Sequence, residues 1–101
     1  MKQKPPNEKQ ITQQIRQFLN MKRIFHWKVR QGLGCVPGVP DIIGVMPKTG
    51  QLLAIEVKTE KGKMDKKGNQ ERFINNLQKD GAICFIARSV QDVIDNLKPY
   101  W

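Results

Sequence analysis

"DIIGVMPKTGQLLAIEVK", residues 41–58, decides the fold, because it has the pattern of two β-strands joined by a short turn. Apolar residues dominate residues 41–46 and 52–58, and "PKTGQ" between them contains proline and glycine, which are typical of turns. Each strand contains one residue that does not fit: Asp41 opens the first and Glu56 lies within the second. A carboxylate among apolar residues is costly unless it is paired or binds a cation. The hairpin therefore predicts a sheet and a site on it.

The residues before the hairpin predict a helix and a further strand. Asn7 is suited to cap a helix, and Gln10 follows three residues later, as in a capping box. Apolar residues then recur at helical spacing, at Ile11, Ile15, Phe18 and Leu19. "IFHWKV" (residues 24–29) predicts a strand, and the Gly- and Pro-rich "RQGLGCVPGVP" predicts a loop.

The residues after the hairpin predict a helix, a strand and a short helix. The first helix spans about residues 67–80, ends at Gly81 and has Phe73, Ile74 and Leu77 on its apolar face. "AICFIA" predicts the strand, and Ser89 is suited to cap the last helix. The order α-β-β-β-α-β-α predicts an α/β fold: a mixed sheet, with its first three strands as a meander, flanked by helices. Residues 1–101 are expected to form one domain.

The charge balance favours a polyanionic partner. Eighteen Lys and Arg residues against nine Asp and Glu residues give a net charge of +9, and nucleic acid is the commonest polyanion. No apolar run is long enough to cross a membrane, and the basic N-terminus lacks the apolar stretch of a signal peptide, so a cytoplasmic location is expected. A soluble protein that is merely basic is the alternative.

Cysteine and histidine are too few for several kinds of site. Cys35 and Cys84 lie far apart and lack metal-site spacing, which predicts free, partly buried thiols. His26, the single histidine, cannot build a histidine-rich zinc site. Catalysis, if present, must therefore depend on carboxylates, lysine and bound metal.

Strand alternation and strand pairing indicate that the two unexpected carboxylates, Asp41 and Glu56, can lie close together. Glu56 and Lys58 project from the same face of their strand, which by itself is more typical of a surface ion pair. Asp41 lies on the neighbouring strand, and adjacent strands are ~4.8 Å apart, so the two carboxylates can share one ion. Oxygen ligands favour the hard cations Mg²⁺ or Mn²⁺.

Two polar residues lie on the apolar stripes of the predicted helices, at positions where apolar residues are expected. Glu8 lies on the stripe of the first helix, and Gln70 on that of the second. Both are candidates for the same site. The alternative for Glu8 is an acid that interacts with the helix dipole. The alternative for Gln70 is a polar residue at the edge of the stripe.

Taken together, the candidate site residues and the segments around them resemble those of a known protein family. "GVPD" (38–41), "EVK" (56–58) and Gln70 resemble the PD-(D/E)XK nuclease motif, and "NEKQITQQIRQFL", "PDIIGV" and "AIEVKTEKGK…NQERF…DGA" resemble the VRR-NUC family within that superfamily. The resemblance implies a restriction-endonuclease-like core and a metal-dependent nuclease that hydrolyses phosphodiesters of DNA. It also implies homodimers that act on branched DNA such as four-way (Holliday) junctions.

The resemblance also implies roles for individual residues. Asp41 and Glu56 are the expected metal ligands, joined by the carbonyl of Val57. Lys58 is expected to orient the attacking water or to stabilise charge on the phosphate. Glu8 completes the site, at a second metal if there is one, and Gln70 positions Lys58 or the water. A non-catalytic DNA-binding module with the same fold is the rival hypothesis, and a basic structural protein is a third.

Basic and aromatic residues outside the motif give further expectations. One basic cluster beside the presumed site is expected to bind DNA phosphates and consists of Lys61, Lys63, Lys66 and Lys67. Another group is equally consistent with a solvated face: Lys22, Arg23, Lys28 and Arg30. Packing in the core or between subunits is favoured over base stacking for Trp27, Tyr100 and Trp101.

Overall fold

The computed structural model describes residues 4–30 and 36–101 of the chain, and the order of its elements confirms the predicted one. The elements are α1 (Glu8–Met21), β1 (His26–Lys28), β2 (Ile42–Val45), β3 (Leu52–Val57), α2 (Asn69–Lys79), β4 (Ile83–Ala87) and α3 (Val90–Leu97), followed by a 3₁₀ turn, Lys98–Tyr100. The strands are slightly shorter than predicted because ladder pairing stops before their apolar ends. Asp41 and Lys58 therefore lie immediately outside the paired residues of β2 and β3.

The four strands form one mixed sheet in the order β1-β2-β3-β4. The first three strands are an antiparallel meander, and β4 runs parallel to β3 after the chain has crossed over through α2. In the register of β2 with β3, Ile42 is opposite Ile55. Continuing that register by one residue sets Asp41 opposite Glu56, which brings the two odd carboxylates together.

Helices cover both faces of the sheet, so β3 is buried on each side. Leu53, Ile55 and Val57 pack in the main core with α1 and α3. Ala54 points the other way and packs with Ile74 of α2 in a smaller core. This confirms the predicted alternation along β3, in which Glu56 shares the face of Ala54.

The helix ends follow the sequence signals. The Asn7 side chain accepts the N–H of Gln10, and the Gln10 side chain accepts the N–H of Asn7, which completes the predicted capping box. Ser89 accepts the N–H of Asp92 at the start of α3. On α2, Ile74 and Leu77 pack in the smaller core as predicted, whereas Phe73 is only half-buried.

Two predictions about single residues have different outcomes. Trp27, Tyr100 and Trp101 are all partly exposed, so core packing does not account for them; β1 is an edge strand, and the last two residues lie beyond α3. Cys84 is a free, buried thiol, as predicted, while Cys35 lies outside the described residues. Within residues 4–30 and 36–101, no helix has the length and apolar character needed to span a membrane.

Candidate metal centre and nucleic-acid cleft

Asp41 is held in place by the two strands that flank it. The N–H of Val57 donates to Oδ2 of Asp41 at 2.7 Å, and the N–H of Val29 donates to its main-chain carbonyl, also at 2.7 Å. Asp41 is half-buried at the point where β2 begins. The start of the hairpin motif is thereby attached to both β1 and β3, and its carboxylate is directed at the end of β3.

Glu56 is the most deeply buried acid among the described residues, with 2% of its surface exposed. Its Oε1 accepts a hydrogen bond of 3.3 Å from Nε2 of Gln70 on α2. Its Oε2 is buried and has no hydrogen-bond partner. Burying a polar atom without a partner costs about 1–3 kcal/mol, and more for a charged group. The fold therefore holds one carboxylate oxygen in a position that requires a cation or a proton.

The electrostatics of the pair agree with that requirement. Burial first, and then a hydrogen bond with the Asp41 carboxyl and the charge of Asp41, raise the pKa of Glu56 to about 9. Two carboxyl groups can hydrogen-bond only if one carries a proton. Lys58 lowers this pKa and Glu8 raises it, which shows that both charges are close to Glu56.

Gln70 is positioned by Asp65, a residue in the loop before α2. The Asp65 side chain accepts the N–H groups of Asn69 (3.3 Å) and Gln70 (3.2 Å), and the Asp65 N–H donates to Oε1 of Gln70 (3.1 Å). The Gln70 amide is thus oriented with its NH₂ toward Glu56. The predicted link between Gln70 and the site is present, but its direct partner is Glu56 rather than Lys58.

Gly38 lets the motif loop lie against the start of α2. Its φ of +85° is in the left-handed region, and a Cβ there would lie 2.4 Å from the carbonyl oxygen of Asn69. Only glycine satisfies both conditions. The "GVPD" loop and the N-terminus of α2 are therefore in direct contact, which brings Asp41 and Gln70 to the same end of the sheet.

Glu8 lies in the first turn of α1 and is exposed. With Asp41 it lines a cleft of about 530 Å³ between α1 and the end of β1. Cationic side chains line the same cleft: Lys9, Lys28 and Arg30. Two residues of the second basic group, Lys28 and Arg30, therefore border the candidate site. The acid at the helix N-terminus and the hairpin acid share one opening, in agreement with the predicted position of Glu8.

Lys58 follows β3 directly, is half-buried, and donates its N–H to the carbonyl of Ala87 at 3.0 Å. The loop after it is held by Arg88, whose guanidinium donates to the carbonyls of Thr59 (2.7 Å) and Gly62 (2.6 Å). Lys61 borders a hollow beside the residues that precede α1. The remaining lysines of the predicted DNA-binding cluster are exposed on the same connection: Lys63, Lys66 and Lys67.

The donor set suits a hard cation. Within the described parts of the chain, no three His, Cys, Asp or Glu side chains form a group that could hold a metal by themselves. Mg²⁺ usually binds through one or two carboxylates and keeps several waters, so two carboxylates and a backbone carbonyl are a sufficient protein contribution. The unpartnered Oε2 of Glu56 is the observation that supports this fit.

Two supporting residues were missed by sequence reasoning. Asp65 lies four residues before Asn69, a spacing that resembles a helix cap and could have been recognised. Arg88 carries no local signal, because its partners in the Thr59–Gly62 turn lie 26 to 29 residues away. The cations of the cleft come from α1 and β1, which only the tertiary structure brings together.

Comparison with known proteins supports one family. The model of the VRR-NUC domain matches residues 2–91. A solved structure described as "VRR_NUC domain" has a TM-score of 0.74 and 23% identity, covering 93% of this chain and 97% of that one. A second, "VRR_NUC domain protein", has a TM-score of 0.75 and 18% identity, covering 96% and 89%. No curated protein matches significantly.

The family match covers most of the chain, and the structural likeness agrees with the fold described above. The chain accordingly belongs to the VRR-NUC family, a family of nuclease domains.

Proposed function

We propose that this protein is a Mg²⁺- or Mn²⁺-dependent DNA endonuclease that hydrolyses phosphodiester bonds and selects branched DNA such as four-way junctions. The observation that carries the proposal is the buried Oε2 of Glu56, which lacks a hydrogen-bond partner and lies beside the Asp41 carboxyl. A DNA-binding module gains nothing from two adjacent buried acids. A hydrolase gains a site for a divalent cation.

The metal would be held by Asp41, Glu56 and the carbonyl of Val57, and Glu8 would complete the site from the α1 side of the cleft that it shares with Asp41. When bound, the cation polarises the phosphoryl oxygen and lowers the pKa of water. The Gln70 amide fixes the Glu56 carboxylate through its bond to Oε1. The N–H of Val57 fixes Asp41 in the same way. These bonds restrict both acids to one geometry before the substrate arrives.

Lys58 supplies a positive charge at the end of β3. A phosphodiester gains negative charge on its oxygens as the nucleophile attacks, and a cation already in place stabilises that charge without reorganisation. The same ammonium can orient the attacking water. Its half-buried position limits competition from solvent. Lys61, Lys63, Lys66 and Lys67 then bind phosphates on either side of the scissile bond.

Branched DNA is the proposed substrate because a small domain has little surface for reading sequence. A net charge of +9 gives affinity for any phosphate backbone, so selection must come from shape. The proposal includes a homodimer, since two-fold symmetry suits paired cuts across a four-way junction. The proposal also includes a location in the cytoplasm.

The test is a cleavage assay on a labelled four-way junction, a flap and plain duplex, with Mg²⁺, Mn²⁺ or EDTA. Asp41→Asn and Lys58→Met are compared with Asp95→Asn, an exposed acid on α3. We expect metal-dependent, junction-selective cleavage that both site variants abolish and the control retains. Circular dichroism shows that each variant is folded.

A separate measurement distinguishes the enzyme from a binding module. Calorimetric titration with Mn²⁺ is expected to show binding that Asp41→Asn weakens and Asp95→Asn leaves unchanged. Binding of the junction without metal uptake or cleavage would overturn the proposal in favour of the binding module. Cleavage that survives Asp41→Asn would show that this aspartate has another role.

A further inference from the structure

On one face of the sheet, the half formed by β1 and β2 carries exposed aromatic side chains. Phe25 and Trp27 are 71% and 45% exposed, and their rings lie 5.8 Å apart with planes tilted by 50°. Trp27 is paired with Ile43 of β2, and Val45 is paired with Leu52, which is also exposed. We name the surface formed by these five residues the aromatic face. It lies on β1, β2 and the start of β3, whereas α2 packs against β4.

The aromatic face is on the same side of the sheet as Glu56. Directly opposite residues in antiparallel strands point to the same side, so Trp27 shares the side of Ile43, which borders the smaller core. Ala54, opposite Ile43, lies in that core, and Glu56 is two residues further along β3. Alternation places Glu56 on this side too, where it bonds Gln70 of α2.

The distance from the aromatic face to the site is short. Ile43 lies two residues from Asp41 along β2, which is ~7 Å in a strand. In a stacked helix, the phosphates of one DNA strand advance by ~3.4 Å per nucleotide along the helix axis. A strand with its scissile phosphate at Asp41 and Glu56 therefore reaches Trp27 within about three nucleotides. Lys28 follows Trp27 on β1 but projects to the other side of the sheet, where with Arg30 it lines the cleft that contains Asp41, next to the edge of the aromatic face.

The net charge of the protein indicates which kind of ligand binds to the aromatic face. The net charge of +9 favours a ligand of opposite charge, and a nucleic-acid strand supplies one negative charge per nucleotide. Exposed aromatic rings beside cations are the arrangement that binds single strands, because every base has a face for stacking. In a duplex those base faces are covered by neighbouring base pairs. The complementary ligand is therefore an unpaired strand.

We propose that the aromatic face binds unpaired nucleotides next to the scissile phosphate, with Trp27 and Phe25 stacking on the bases. The inference rests on the proposed nuclease function and adds that the branched substrate presents unpaired nucleotides beside the cleaved bond, whether opened at the branch point of a junction or present in a flap. Duplex arms engage the lysines after β3, and the unpaired strand crosses β1. Trp27 and Phe25 are binding residues in this arrangement.

The test uses Trp27 as its own reporter. The chain has two tryptophans, so Trp101→Phe leaves only Trp27 to fluoresce. This protein is titrated with a short oligothymidylate and with blunt duplex in EDTA, where cleavage cannot occur. We expect saturable quenching by the single strand and little by the duplex. Phe25→Ala is expected to raise the Kd for the single strand about five- to a hundredfold.

A matched control and two contrary outcomes complete the test. Tyr100→Ala alters an exposed aromatic residue beside Ile24 and Met46 of the main core, on the opposite side of the sheet from the aromatic face, and is expected to leave the Kd unchanged. Binding in a gel shift with unaltered Trp27 emission would overturn the inference. So would a dimer, in sedimentation, that Trp27→Ala converts to monomers with unchanged DNA affinity.

The experiments test binding by the aromatic face and nuclease activity independently, because binding is measured without metal. Quenching without any cleavage would contradict the nuclease and support the aromatic face. Flap cleavage whose KM and kcat are both unchanged in Trp27→Ala would contradict the aromatic face and support the nuclease.

Discussion

Two carboxyl groups lie side by side at the end of β3, and their repulsion and burial cost free energy that a bound cation would offset. Asp41 and Glu56 lie together, and no donor among residues 4–30 and 36–101 bonds to Oε2 of Glu56. Without metal, a proton on Glu56 is the remaining way to lower the cost of burial. The buried acids therefore lower the stability of the metal-free protein, and the free energy of unfolding reports on their protonation state.

The first prediction concerns the pH dependence of the metal-free protein. The folded state raises the pKa of Glu56 from 4.5 to about 9, so between these values the native state binds more protons than the unfolded state. The free energy of unfolding should therefore fall as pH rises through this interval, with a slope of at most about 1.4 kcal/mol per pH unit. Urea denaturation in EDTA at several pH values measures it.

Glu56→Gln is the control for that slope. The amide is nearly isosteric and carries no titrating proton, so the decline with pH should be reduced and the protein should be more stable at pH 9 than the wild type. Mn²⁺ should stabilise the wild type increasingly as pH rises, because metal displaces the proton. An unchanged pH profile in Glu56→Gln would show that Glu56 is not the group responsible.

At the scale of elements, contacts between loops and helices determine where the site residues lie. The loop that ends in Asp41 touches the start of α2 at Gly38, and Asp65 holds the same helix end. On the other side, Arg88 at the end of β4 holds the turn after Lys58. The two catalytic loops are therefore fixed by elements that contribute no ligand themselves.

The second prediction tests the contact at Gly38. Gly38→Ala adds a Cβ 2.4 Å from the Asn69 carbonyl oxygen, whereas Gly50→Ala, also at positive φ, adds one in open space. Both variants have the left-handed strain of about 1–2 kcal/mol, so their difference isolates the clash. We expect Gly38→Ala to lose about 1–3 kcal/mol more in urea denaturation. It should also lose cleavage activity, since Gln70 is displaced.

The third prediction tests the turn held by Arg88. Arg88→Met leaves the carbonyls of Thr59 and Gly62 without their donor, which should lower the free energy of unfolding by about 1–3 kcal/mol. Trypsin should then cut faster after Lys61, because the turn opens more often. Arg72→Met, whose bonds are local to Lys67 and Asn69, is the comparison. Equal tryptic rates in both variants would contradict this role.

At the scale of the whole molecule, positive charge surrounds the end of the sheet where the acids lie. Lys9, Lys28 and Arg30 border the cleft on the α1 side. The lysines after β3 lie on the other side, near the start of α2. A polyanion is therefore attracted to the same region from two directions.

The fourth prediction concerns salt. Each lysine that neutralises a phosphate contributes about 0.9 to the slope of log K against log salt for duplex DNA. Lys61→Ala and Lys63→Ala should each reduce that slope by about this amount. Lys79→Ala should not, because Lys79 is at the other end of α2, ~15 Å from Gln70. Binding isotherms at several salt concentrations measure the slopes, and equal slopes for all three variants would exclude the predicted DNA-binding cluster.

Sequence by itself determined the elements, their order and the pair of odd carboxylates. These depend on short-range rules: the helical stripe of Ile11, Ile15 and Leu19, the cap at Asn7 and the alternation along β3 all act within a few residues. Asp41 and Glu56 could be recognised because a charged residue in an apolar strand conflicts with its surroundings. The hairpin then brought them together through register alone.

Only the tertiary structure decided which distant groups support the site and which surfaces stay open. Arg88 reaches carbonyls 26 and 29 residues away, and Gly38 touches Asn69, pairs whose proximity no local periodicity encodes. The exposure of Trp27 likewise depends on which half of the sheet α2 covers. Such contacts depend on how the chain crosses between strands and how helices settle on the sheet. They arise from packing the whole chain rather than from any one segment.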